Sequence, residues 1–127
     1  MSNKIIKINR GDSYKFTVKI TEQNSTEPHF LEINKEVVYF AILFPHQAFE
    51  KACPNLVNCY RAEDGDQDED GNITIELRPS ETRHLAPGVY YYTVKLKRGG
   101  NLLDIYGNDD PEEVRTIIER TKLIVNE

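Results

Sequence analysis

The stretch Glu36-Val37-Val38-Tyr39-Phe40-Ala41-Ile42-Leu43-Phe44 constrains this chain more than any other. It has the length of a strand, is rich in β-branched and aromatic residues, and is almost unbroken in its apolarity. Such a run suits a strand that is covered on both faces. A small fold must therefore supply two covers. One is the core. The other is either the long segment that follows or a neighbouring subunit, which makes Val37, Tyr39, Ala41 and Leu43 candidate interface residues.

The segments around this run read as further strands. Lys4 to Asn9 is short and apolar and ends at Arg10-Gly11-Asp12, where glycine accepts positive φ and Asp bonds nearby N–H groups. Arg-Gly-Asp is also the tripeptide that integrins read, but turn chemistry already accounts for it. Tyr14 to Ile20 alternates, with Tyr14, Phe16, Val18 and Ile20 on one face and Lys15, Thr17 and Lys19 on the other. Thr21 to Pro28 is polar and aperiodic, an exposed loop, with Phe30-Leu31 as a plug tucked back onto the body.

Leu77 to Leu96 reads as a strand end, a polar crossover and a new strand. Pro79 is tolerated at a helix start and Ser80 is a candidate cap, so one short helical turn is expected near 79–85 before Pro87 forbids more. After Pro87-Gly88 the chain places Tyr90, Tyr92, Val94 and Leu96 on one face and Tyr91, Thr93, Lys95 and Lys97 on the other. A short helix is expected around 46–52, Arg98 to Asn101 is a hairpin signal, and Leu102 to Tyr106 is a returning strand. The last segment is divided. Asp110-Pro111-Glu112-Glu113 is helix-start chemistry, whereas Val114 to Val125 is rich in β-branched residues and would pair with the Tyr90 strand.

Composition narrows the function classes. The 127 residues suit one domain, 1–127, and 16 basic against 21 acidic residues give a net charge of −5. A role led by phosphate binding wants a basic face, so no nucleic-acid partner is expected. The N-terminal residues carry no apolar run long enough for an export signal, and nothing approaches a membrane span. The expected setting is cytoplasmic until assembly, with Cys53 and Cys59 as reduced thiols.

The sharpest chemical signal is Glu63 to Ile73. Asp66, Asp68 and Asp70 alternate ahead of Gly71, as in the first half of a calcium loop. The second half departs from that pattern: Leu77 stands where a bidentate glutamate belongs, and Glu76 comes one residue early. The alternative is an acidic hairpin loop whose Asp70-Gly71-Asn72 turn launches the strand Ile73 to Leu77. No other cofactor is expected, and any calcium would be weakly held and structural. His29, His46 and His84 are scattered in loops, and no nucleophile elbow, phosphate loop or zinc-protease motif occurs, so an enzyme is not expected.

The order Arg10-Gly11-Asp12-Ser13, Val37 to Leu43, Asp70-Gly71-Asn72-Ile73-Thr74-Ile75, Leu77 to Tyr92, Val114 to Ile118 and Leu123-Ile124-Val125 resembles a known family. These are the immunoglobulin-like antiparallel β-sandwich domains of tailed-bacteriophage virion proteins, found in upper baseplate, tail, head-decoration and head-fibre proteins. The likeness implies about seven to eight strands and a strand at the C-terminal end. It also implies a non-enzymatic virion protein, present in the host cytoplasm during assembly, whose partners are other capsid, tail or baseplate subunits or further copies of itself. Two departures stand out: Pro45 to Tyr60 looks inserted, and Glu119-Arg120 replaces a turn glycine. The alternative is a surface-binding module for carbohydrate or a host receptor, with Tyr90, Tyr91, Tyr92 and Tyr106 as stacking candidates.

Overall fold

The computed structural model describes residues 4–44, 56–99 and 113–127. Among them are seven strands: β1 (Ile6–Asn9), β2 (Tyr14–Lys19), β3 (Glu36–Leu43), β4 (Leu56–Tyr60), β5 (Asn72–Leu77), β6 (Gly88–Arg98) and β7 (Glu113–Asn126). One sheet has the order β1-β7-β6-β3-β4, and β2 and β5 form a separate antiparallel pair. The fold is all-β, with a 3-10 turn at Ala62–Asp64 and one helical turn, α1 (Pro79–Thr82). The helix expected at 46–52 and the strand expected at 102–106 lie outside the described residues.

β3 lies between β6 and β4, and all of its residues are buried. Its Val38, Phe40 and Ile42 enter the main core with Val18, Ile20, Ile73, Ile75 and Leu77 from the opposing pair. The rings of Phe16, Phe40 and Tyr92 meet there at centroid separations of 5.8–6.0 Å. Each fully buried large apolar side chain contributes about 1.5–3 kcal/mol relative to exposure. The inward faces expected of β2 and β6 are present, with Val18 and Ile20 buried, as are Tyr90, Tyr92, Val94 and Leu96, but Thr93 and Lys97 on the other face of β6 are buried too. Of the expected plug, Leu31 is buried and Phe30 is exposed.

The C-terminal segment is a strand. β7 pairs antiparallel with β6 along its whole length, from Gly88↔Val125 to Arg98↔Glu113. While β6 advances from Tyr92 through Val94 to Lys95, β7 runs from Thr121 through Ile118 to Thr116, so β7 bulges twice. Glu119-Arg120 falls inside the first bulge, where an extra residue increases twist and bends the strand. The Thr93 hydroxyl donates to the Ile118 carbonyl at 2.9 Å, which satisfies a buried polar group at the irregularity.

Two expectations need correction. The strands are not all antiparallel, because β1 runs parallel to β7, from Ile6↔Leu123 to Asn9↔Asn126. The turn at Gly11 (φ +88°) carries the chain from one sheet into the other, so β1 cannot form a hairpin with β2 and pairs with the distant C-terminal strand. The other correction is at α1. Pro79 does open it, but Glu81 supplies the cap in place of Ser80: its Oε1 accepts the Arg78 N–H at 2.8 Å. The Thr82 hydroxyl then donates to the Asp12 carbonyl at 2.8 Å, and Arg10 Nε donates to the Arg83 carbonyl at 2.9 Å. The Arg10-Gly11-Asp12 turn and the crossover are thereby tied together.

Candidate functional site

The apolar outer face of β3 is not presented to solvent. Val37, Tyr39, Ala41 and Leu43 are each at most 2% exposed and form a second apolar cluster, against which Val57 and Cys59 of β4 pack. Of the two covers open from sequence, a following segment or a neighbouring subunit, the burial of this face is met within the chain itself. Burial pushes the Cys59 thiol up, with Arg61 acting weakly in the other direction. Cys53 and Tyr106 lie outside the described residues.

Exposed apolar surface occurs elsewhere on the same sheet. Register places Val89 opposite Ile124, and Lys7 of β1 beside Ile124 on its other flank. Because Ile6, Ile8, Leu123 and Val125 turn inward, Ile5, Val89 and Ile124 share the outward face. Val89 and Ile5 are 47% and 49% exposed, and Lys7 and Lys122 border them. The Tyr91 ring, on the same face, lies under the Arg120 guanidinium at 5.0 Å. Tyr90 and Tyr92 are core residues, so the three consecutive tyrosines do not form a stacking platform.

The side where β4 and β5 are both sheet edges is a polar cleft of about 400 Å³ lined by Asn58, Tyr60, Asp66, Thr74, Glu76 and Glu81. Side chains cap the backbone of β5 here. The Tyr60 hydroxyl accepts the Glu76 N–H at 3.4 Å, and Asp68 Oδ1 accepts the Asn72 N–H at 2.8 Å. Capping of this kind blunts an edge against strand addition.

The acidic loop uses its carboxylates on its own backbone. Asp66 Oδ2 accepts the Arg61 N–H at 2.8 Å, Asp68 Oδ1 accepts the Asp70 and Asn72 N–H groups at 2.9 and 2.8 Å, and Asp70 is exposed. The three are not brought together: among the described residues no group of three or more His, Cys, Asp or Glu side chains is arranged to hold a metal ion. The backbone N–H of Asn72, helped by that of Asp70, holds the Asp68 carboxyl below its ordinary range against the opposing effect of burial. Gln67, between these acids, clamps two loops. Its Oε1 accepts the Leu31 N–H at 2.8 Å, and its Nε2 donates to the carbonyls of His29 at 2.8 Å and Gly71 at 3.1 Å.

A second polar cluster surrounds His29. The loop after β2 folds back on itself through a Thr21↔Pro28 bridge and the bond from Glu22 N–H to Glu27 O at 2.9 Å. This sets Glu22 Oε1 at 2.9 Å from His29 Nδ1, while Glu36, at the start of β3, places both oxygens 2.9–3.0 Å from Nε2. Glu36 also accepts the Glu32 N–H at 2.8 Å, and Arg98 Nη1 lies 2.9 Å from Glu32 and 3.7 Å from Glu36. Burial alone would lower the His29 pKa, but hydrogen bonds to Glu22 and Glu36 and their charges outweigh it and raise the net value. No sequence pattern marks this cluster or the Gln67 clamp, because their members come from aperiodic loops and from the ends of separate strands.

No family model matches the chain, and no curated protein matches it.

Proposed function

We propose that this chain is a non-enzymatic structural protein of a tailed-bacteriophage virion, an immunoglobulin-like sandwich that binds other virion subunits. The observation that carries the reading is the division of strands, with β7, β6, β3 and β4 in one sheet and β2 with β5 in the other. It is joined to a tyrosine corner, in which the Tyr90 hydroxyl at the start of β6 donates to the Ala86 carbonyl at 2.7 Å. The corner lies within the Leu77 to Tyr92 stretch that carries the phage resemblance, as do most of β3 and β5 and parts of β6 and β7, whereas β4 belongs to the segment that departs from it. The contact surface is the outward patch of Ile5, Val89 and Ile124 with its lysine border, since the β5 edge is capped and the outer face of β3 is covered.

The test is co-assembly. Purified protein is mixed with heads or tails lacking it and sedimented. Saturable recovery with the particles supports the role, and a protein that stays in the supernatant at all ratios overturns it. The carbohydrate or receptor alternative is less favoured, because two of the three consecutive tyrosines are buried and the third is covered by Arg120.

A further inference from the structure

A neutral imidazole has one N–H donor and one bare lone pair, whereas the imidazolium has two donors. His29 has a carboxylate oxygen 2.9 Å from Nδ1 and another 2.9 Å from Nε2. A neutral ring would therefore turn a lone pair against one of the two carboxylates, and only the protonated ring satisfies both. The two carboxylates differ in their freedom to leave. Glu36 is 2% exposed and fixed by the Glu32 N–H, while Glu22 is 56% exposed and sits on the loop.

We propose that His29 is a proton-held latch: the imidazolium ties the 21–28 loop to the first residue of β3, and its deprotonation releases Glu22 and with it the loop. The groups facing the ring are Glu22 from the loop, Glu36 from β3 and Glu32 from the turn before it. Beyond them a cleft of about 210 Å³ brings in Arg98 from β6 and Glu113 and Arg115 from β7. Arg98 already opposes Glu32 and Glu36 across the cleft, so Glu36 keeps a partner after the proton leaves. Glu36 then holds the remaining Nε2–H, and Nδ1 is left bare.

The direction of the response follows from the raised pKa. The latch is fully closed below the ordinary imidazole value of about 6.5 and opens as pH rises through the higher folded-state value. Gln67, the Thr21↔Pro28 bridge and buried Leu31 hold the base of the loop throughout, so opening is local.

Long-range proton–nitrogen NMR of the full chain reads the ring directly. The expected result is a midpoint above 6.5, a neutral form protonated on Nε2, and protection factors of the 21–28 amides that fall several-fold across the same midpoint. Neutral His29 protonated on Nδ1, or protection unchanged through the titration, overturns the latch. Glu22→Gln removes only an exposed carboxylate and should lower the midpoint, so an unchanged midpoint also overturns it. His29→Gln should abolish the pH dependence of loop protection, and if that variant fails to fold the Glu22→Gln titration still decides the question.

Discussion

The Tyr90 hydroxyl donates to the carbonyl of Ala86, 2.7 Å away, and closes the corner by which the chain leaves α1 and enters β6. The same ring stacks on Phe44 with a centroid separation of 5.6 Å, so one side chain joins the crossover to the end of β3. Tyr90→Phe keeps the ring and loses the bond. The expected cost is about 0.5–1.5 kcal/mol, measured as a lower urea midpoint with an unchanged slope.

Gly71 and Gly65 form a matched pair of tests. Both have positive φ, +84° and +71°, but a Cβ on Gly71 would stand 2.9 Å from Pro28 Cβ, while nothing lies within 4 Å at Gly65. Gly65→Ala should cost about 1 kcal/mol from backbone conformation alone. Gly71→Ala should cost clearly more, and equal melting temperatures for the two variants would mean that Pro28 yields freely.

Gln67→Ala removes three hydrogen bonds that clamp Leu31, His29 and Gly71. A destabilisation of about 1–3 kcal/mol is expected, because the Leu31 N–H loses its acceptor beside the core. Hydrogen exchange at the Leu31 amide should accelerate more than at β6 amides.

Asp68 sets part of the acid limb of stability. Its carboxyl is held below the ordinary range, chiefly by the Asn72 N–H. Its contribution is present above the unfolded-state pKa and is lost as pH falls through the folded value. Asp68→Asn should flatten the melting-temperature profile below about pH 4 and leave the limb above neutrality unchanged. Since Asp66 and Asp68 are engaged with backbone N–H groups, millimolar calcium should not shift the melting temperature.

Val89→Lys and Ile124→Lys place charge on the outward patch without entering the core, where Tyr90, Leu123 and Val125 lie. Each should leave the unfolding free energy, measured by urea titration, within about 0.5 kcal/mol of the parent, as surface changes do. Particle recovery should fall for both, and undiminished recovery would move the contact away from this face.

Much of the fold was legible because it rests on local periods. The alternation of Tyr14 to Ile20 and of Tyr90 to Leu96, the apolar run of β3, the Asp70-Gly71-Asn72 turn and the Pro79 helix start each declare themselves within a few residues. The candidate sites were less legible. Asp66, Asp68 and Asp70 have the spacing of ligands, yet backbone N–H groups take the carboxylates of Asp66 and Asp68, and Asp70 is turned to solvent.

The sequence by itself determined the strand character of β2, β3, β5 and β6, the faces they turn inward, and the helical crossover, because side-chain period and turn stereochemistry act over neighbouring residues. Only the tertiary structure decided three things. It set β1 parallel beside β7, it covered the outer face of β3 within the chain, and it placed His29 between Glu22 and Glu36. Each depends on contacts between separate elements or on the fold-back of an aperiodic loop, and the preference for those contacts resides in packing and charge once the two sheets have met.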